Sequence, residues 1–251
     1  MELILAEKPS AARNFAKALG GKTGNYAGTE YKITNLRGHV MGLLPPDKQV
    51  PTEKVEFYKS WDLENLPWDL NDFAWKKGIL SGCKDIISGL KDELKEADCV
   101  VIATDVDPSG EGELLAWEAL EKCGWRGPTK RMYFADEAPA SVQKAFRERK
   151  TLPSMEKDGD YVKAVVRERW DLASMQFTRA ATLVARKKGF RTVVRQGRLK
   201  SVMVKLTGDQ FKAYNEYVRK PFYEARFKDE NGNIFARKTD DPEDIRFNSP
   251  D

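Results

Sequence analysis

The stretch CVVIATDVDPSGEGE, residues 99–113, decides how the rest of the chain is read. Cys99 to Ala103 form a continuous apolar run between polar residues, the pattern of a central strand buried on both faces of a parallel sheet. Directly after it come four acids: Asp105, Asp107, Glu111 and Glu113. Ligands of open parallel sheets sit beyond the carboxyl ends of the strands. Collecting four carboxylates there costs electrostatic energy unless a cation offsets it. Hard oxygen donors with no His or Cys beside them suit Mg²⁺, which takes one or two carboxylates and keeps several waters. Gly110 and Gly112 let the backbone turn tightly between the acids. The plain alternative is an acidic surface loop in which Glu111 and Glu113 favour the start of the next helix.

Working outward, Leu3 to Ala6 reads as a second short buried strand, followed at once by Glu7-Lys8-Pro9-Ser10. If the two strands are neighbours, Glu7 comes within reach of the aspartates. A carboxylate beside other carboxylates has a raised pKa and can act as a general acid or base. Lys8 offers a fixed positive charge for a phosphate oxygen. In isolation the same two residues simply end a strand in solvent. His39, the only histidine, follows Gly38 and a strand predicted over Tyr31 to Leu36. It has either a structural role or a place beside a bound phosphate.

The remaining segments alternate. A helix is predicted from Pro9, ended by Gly20 and Gly21. Residues 45–75, with four prolines and Trp61, Trp68 and Trp75, read as an ordered irregular crossing, because the aromatics need a surface to pack on. Helical spacing returns over Lys84 to Ala97 and Glu113 to Lys122. A further strand is predicted over Arg131 to Phe134, and a helix from Pro139 to Arg149. Strands alternating with helices up to about residue 150 indicate an α/β domain. From about Tyr161 to Lys187 the pattern is wholly helical, and a second helix is expected from Arg198 to Val218. FYEARF and NIFARK, separated by Asp229, Asn231 and Gly232, read as a hairpin. The polar tail TDDPEDIRFNSPD reads as frayed.

Composition narrows the class. The chain has 251 residues, 41% hydrophobic and 10% aromatic, enough to bury a core and too apolar for a disordered chain. No apolar run approaches the roughly 20 residues of a membrane span. Cys83, Cys99 and Cys123 are widely spaced with no C-x-x-C pair, which fits free thiols in a reducing cytoplasm and gives no zinc framework. Net charge is only +4, but from Leu172 to Gly208 there is no Asp or Glu while Arg179, Arg186, Lys187, Lys188, Arg191, Arg195, Arg198, Lys200 and Lys205 fall in the segment. A basic stretch of this kind can neutralise phosphates, or it can be a solvated helix face.

Taken together the segments resemble the Toprim domain, and more narrowly the N-terminal part of type IA DNA topoisomerases of the topoisomerase III-like branch. The resemblance rests on LILAEKPSAARNFAKALGG, Gly38-His39 followed by Pro45-Pro46, Trp61 with Leu66-Pro67, Asp105-x-Asp107 with Glu111-Gly112-Glu113, and RMYFADEAPASVQKAF. It continues through RERWDLASMQFTRAAT and RQGRLKSVMVKL, and covers roughly residues 1–225. It implies a Rossmann-like parallel sheet over residues 1–152, a mainly helical DNA-binding domain over 153–220, and over 221–251 the start of a β-rich arch or a frayed tail. It further implies Glu7 as general acid/base near the scissile phosphate and Lys8 as transition-state stabiliser. Asp105 and Asp107 would bind Mg²⁺, with Glu111 as a third carboxylate. His39 would lie beside the bound strand, and Arg195, Arg198 and Lys200 would line a groove for single-stranded DNA.

Two departures matter. The family's acidic loop is Asp-x-Asp-Arg-Glu-Gly-Glu, whereas here Pro108-Ser109-Gly110 stands where the single Arg would be. That leaves open which of Glu111 and Glu113 faces the metal. Type IA enzymes also cleave through a tyrosine in a later domain, and Tyr161, Tyr214 and Tyr223 lie outside any such motif. The resemblance therefore implies an N-terminal portion, or a naturally short relative, that needs C-terminal domains carrying the tyrosine. The competing readings are a Toprim nuclease or primase-like enzyme with metal-activated chemistry, and a non-catalytic DNA-binding relative.

Overall fold

The computed structural model describes residues 1–249; Pro250 and Asp251, the last two residues of the predicted tail, lie outside the described residues. The chain divides into two compact units, Met1–Arg198 and Leu199–Asp251.

The first unit is built on a six-stranded sheet. In chain order it contains β1 (Glu2–Ala6), α1 (Pro9–Leu19), β2 (Thr23–Tyr26), β3 (Thr29–Asn35), β4 (Met41–Leu43), the short helices α2 (Pro46–Gln49) and α3 (Val55–Lys59), and β5 (Lys77–Ile79). There follow α4 (Lys84–Glu93), β6 (Cys99–Ala103), α5 (Glu111–Cys123), β7 (Thr129–Arg131), α6 (Pro139–Arg147), β8 (Lys150–Thr151) and α7 (Gly159–Lys187). The sheet order is β2-β3-β1-β6-β7-β8. The four inner strands are parallel, and β2 and β8 close the edges antiparallel. The sheet is thus mixed around the expected parallel centre.

Both faces of the sheet are covered, which explains the unbroken apolar runs. On one face Leu3, Leu5, Val100 and Ile102 pack with α4 and α5 through Ile87, Leu90, Leu115 and Leu120. On the other, Ile4, Ala6, Ile33, Val101 and Ala103 pack with α1 and α6 through Phe15, Val142 and Phe146. A third cluster lies under the proline-rich crossing, where Tyr58, Trp68 and Phe73 pack on Leu172 of α7. The crossing is therefore ordered as expected.

Several boundaries differ from the sequence reading. The strand predicted over Arg131 to Phe134 is β7, ending at Arg131. The helix after the acidic loop begins at Glu111, not Glu113. β2 was not expected: Thr23-Gly24-Asn25 carries no apolar alternation, and it forms by pairing with β3.

The second unit holds α8 (Lys200–Asn215), β9 (Tyr223–Glu224), β10 (Arg226–Lys228), β11 (Ile234–Ala236) and β12 (Arg246–Phe247). The predicted hairpin is the β10–β11 pair. The tail is not frayed up to residue 249: Pro242–Ile245 form a 3-10 turn capped by Asp241, and Arg246–Phe247 pair with Tyr223–Glu224. Among the described residues no helix is long and apolar enough to cross a membrane.

Candidate functional site

Strand register brings the two loops together. In the β1–β6 pair Ala6 lies opposite Ala103, so the chain leaves both strands at one level. The Glu7 carboxylate accepts from the Asp105 N–H at 3.0 Å, and Lys8 Nζ donates to Asp105 Oδ2 at 2.9 Å. From the other neighbour, the Gly38 N–H donates to the Glu7 carbonyl at 2.9 Å, which sets the position of His39. His39 Nε2 lies 2.7 Å from Glu111 Oε1. The ends of β1, β3 and β6 thus place Glu7, Lys8, His39, Asp105 and Glu111 in one neighbourhood.

The acidic loop is fixed from beneath. Arg131, fully buried, donates Nε to Glu113 at 2.7 Å and NH1 to the Thr104 carbonyl at 2.7 Å, and NH2 reaches the Asp105 carbonyl at 3.1 Å. Thr104 Oγ1 donates to the Gly112 carbonyl at 2.8 Å. Glu113 is therefore committed to Arg131 inside the protein, and Glu111 is the glutamate left at the surface of the site. A buried arginine–carboxylate pair is costly to break, since either partner alone leaves an uncompensated charge.

Asp107 is held by Ser109, which donates both its N–H, at 2.7 Å, and its hydroxyl to Oδ1. Arg167 of α7 donates to the Ser109 hydroxyl and to Glu111 Oε2, the latter at 2.8 Å. The start of α7 is pinned beside the loop by Asp158, which caps the helix and accepts from Trp117 Nε1 of α5 at 2.8 Å. Approach here is close. A Cβ on Gly110, at φ +75°, would meet the Asp160 carbonyl oxygen at 2.2 Å, and one on Gly112 would meet the Asp105 carbonyl oxygen at 2.1 Å. Gly112→Ala is accordingly expected to cost about 1–3 kcal/mol in urea unfolding through forced displacement of the loop.

Electrostatics separate the carboxylates. Burial, reinforced by Asp105 and Glu111, raises the pKa of Glu7. Burial also works against ionisation of Asp107, but hydrogen bonds from Ser109 and Gly112 outweigh it and hold that carboxyl below its ordinary range. The His39 hydrogen bond, with Arg167, holds Glu111 low. One raised carboxyl beside two lowered ones is the pattern of an acid/base group next to permanently charged carboxylates.

A cavity of about 170 Å³ opens beside this cluster, lined by His39, Glu111, Leu114, Ala164, Arg167, Glu168 and Asp171. Arg198 reaches Asp171, a residue of the cavity lining, with a two-point ion pair, Nε to Oδ1 at 2.6 Å and Nη2 to Oδ2 at 3.1 Å. Arg195 is exposed on the connection after α7. Lys200 opens α8 in the second unit.

Asp105, Asp107 and Glu111 supply only hard oxygens, and Mg²⁺ needs no more than one or two of them with water completing the shell. Among the described residues no three His, Cys, Asp or Glu side chains converge as a ready-made metal cage. In this arrangement Asp105 is paired with Lys8, and Glu111 with His39 and Arg167. Donor chemistry fits the ion, with Asp107, whose partners are uncharged, as the unpaired anion of the loop.

Sequence reasoning did not single out Arg131, Ser109, Arg167 or Asp171. Arg167 and Asp171 are four residues apart on one helical segment, a spacing that puts them on one face, and this was the available signal.

Comparison with known proteins gives the context. The model of the Toprim domain matches residues 2–136, more than half of the chain. DNA topoisomerase 3 of Staphylococcus epidermidis is 30% identical over 151 residues, covering 59% of this chain and 20% of that protein. DNA topoisomerase 3 of Shouchella clausii is 28% identical over 236 residues, covering 92% of this chain and 30% of that protein. The chain thus spans less than a third of these relatives. Full-length topoisomerase I from Thermotoga maritima shares the fold with a TM-score of 0.56 at 19% identity, over 90% of this chain and 33% of that one. With its strand ends and acidic loop arranged as described, the chain belongs to the Toprim domain family and is related to the type IA topoisomerases of the topoisomerase III-like branch.

Proposed function

We propose that this chain supplies the acid/base, metal-binding and strand-binding part of a type IA topoisomerase, an enzyme that breaks and rejoins one DNA strand with Mg²⁺. The observation that carries the reading is the Glu7 carboxylate seated on the Asp105 N–H, at the adjoining ends of two parallel strands. Asp105 and Asp107 would hold Mg²⁺, with Glu111 as the third carboxylate. The ion, when bound, supplies charge stabilisation at the phosphate. Glu7, held toward its protonated form, gives its proton to the departing sugar oxygen in cleavage and takes it back in rejoining. Lys8, paired with Asp105 at 2.9 Å, would offer its positive charge to the phosphate. His39 and Arg198 flank the strand and Arg195 extends the basic path on the first unit; Lys200, on the second unit, adds positive charge for the strand's backbone.

The nucleophile in this reading is a tyrosine supplied from outside residues 1–251. Tyr161 is unsuited to the role, since it packs on the main core and burial pushes its phenol up to about 12. The assembly of residues 1–152, 153–220 and 221–251 as catalytic, helical and arch-forming segments belongs to the same proposal.

The deciding experiment adds the tyrosine-bearing remainder of a type IA relative and follows relaxation of a negatively supercoiled plasmid with Mg²⁺. Relaxation that requires both parts supports the proposal. Mg²⁺-dependent nicking by this chain alone, lost in Asp105→Asn, would instead favour a nuclease. Asp107→Asn is expected to weaken Mg²⁺ binding at least tenfold by titration calorimetry. Unchanged affinity would remove Asp107 from the ligand set.

A further inference from the structure

We infer that Trp61 is a stacking platform for a base of single-stranded nucleic acid, built on the far end of α7 from the acidic loop. This rests on the single-strand reading above and extends it to a second contact point.

Leu172, Arg179 and Arg186 recur at seven-residue spacing, so they share one face of α7. Leu172 is buried in the aromatic cluster under the crossing. Arg179 is also buried, and its NH1 donates to the carbonyls of Tyr58 at 2.5 Å and Ser60 at 3.1 Å. The residue just before Trp61 is therefore clamped to the helix. The Arg179 guanidinium lies 4.7 Å from the Trp68 ring centre and 5.5 Å from that of Trp61. Arg186, one step further along the face, is exposed, lies 5.6 Å from the Trp61 ring centre, and makes no ion pair among the described residues.

Both guanidiniums lie within 5.6 Å of the indole centre, and 42% of Trp61 is left open to solvent. A large exposed aromatic ring held rigid by two cations is a poor use of surface unless something lies on it. Bases stack on aromatic rings whatever their identity, and neighbouring arginines add cation–π attraction. Lys187, Lys188 and Arg191 follow Arg186 directly, exposed, in a segment free of acids. Asp62 and Glu64 are on the loop of Trp61 itself, where Asp62 accepts from the Glu64 N–H, and Asp47 acts on the already anchored Arg179. Charge therefore assigns the phosphates to the α7 side and a base to the exposed part of the indole. Arg179 is about 18 Å along the helix axis from Arg167 at ~1.5 Å per residue, so the platform adds affinity away from the reacting phosphodiester.

The test compares binding of the full chain to oligothymidylate and to an abasic oligomer with the same number of phosphates, at one salt concentration. Wild type should prefer the base-bearing oligomer by at least about tenfold, the worth of one stacked base. Trp61→Ala should lose that preference while holding the abasic oligomer within about twofold, and Trp61→Phe should restore most of it. Equal binding of both oligomers by the wild type overturns the platform without needing any variant. So does a Trp61→Ala protein that keeps the preference or weakens on both oligomers alike. A wild type that binds neither oligomer overturns the single-strand reading itself, and the platform with it.

Discussion

Arg131→Met is expected to lower the unfolding free energy by about 3–5 kcal/mol, read from urea denaturation. The reason is not the loss of one ion pair but what stays behind. Glu113 would remain buried with its charge uncompensated, and the carbonyls of Thr104 and Asp105 would lose their donors. The double variant Arg131→Met with Glu113→Leu should regain part of the loss, since a buried pair can be replaced by apolar groups at little cost. Recovery should stop short of wild type, because the unpaired carbonyls persist. A single variant within 1 kcal/mol of wild type would mean that the pair is not buried in the way described.

Glu7→Gln should separate stability from chemistry. Removing the acid/base group is expected to slow strand cleavage, in the reconstituted relaxation assay, by roughly 10²- to 10⁴-fold. Single-strand affinity should remain close to that of wild type. Stability should move the other way. Burial raises the Glu7 pKa above its ordinary 4.5, so between that value and the raised one the folded protein binds more protons than the unfolded chain. Folding stability then falls as pH rises through that window, and above it the raised pKa of Glu7 is a net cost to folding. The neutral glutamine should therefore raise the melting temperature at pH 7, with the difference shrinking as pH is lowered toward 4. A lower melting temperature at pH 7 would contradict the burial argument, and unchanged cleavage would remove Glu7 from the mechanism.

What was legible in the sequence followed from physical simplicity. The centre of the sheet was visible because strands covered on both faces must be apolar at every position, as in Leu3–Ala6 and Cys99–Ala103. The meeting of Glu7 with the acidic loop needed only the guess that those strands are neighbours. Arg131 was not legible, because an arginine inside a sheet is tolerated only through partners brought from elsewhere, here Glu113 and the carbonyls of Ile102, Thr104 and Asp105. The choice between Glu111 and Glu113 turned on the same contact. Ser109 belongs to the three residues that stand where the family has a single Arg, yet it joins Asp107 to Arg167, a residue far along the chain. β2 and β12 were missed because short edge strands take their form from pairing, not from their own pattern.

The length of α7 has a consequence of its own. One rigid rod of 29 residues carries Arg167 to the acidic loop and Arg179 to the tryptophan crossing. It works as a ruler that fixes both spacing and rotation between them. Inserting a single residue between those two arginines would turn everything beyond it by about 100° and lift Arg186 off the indole.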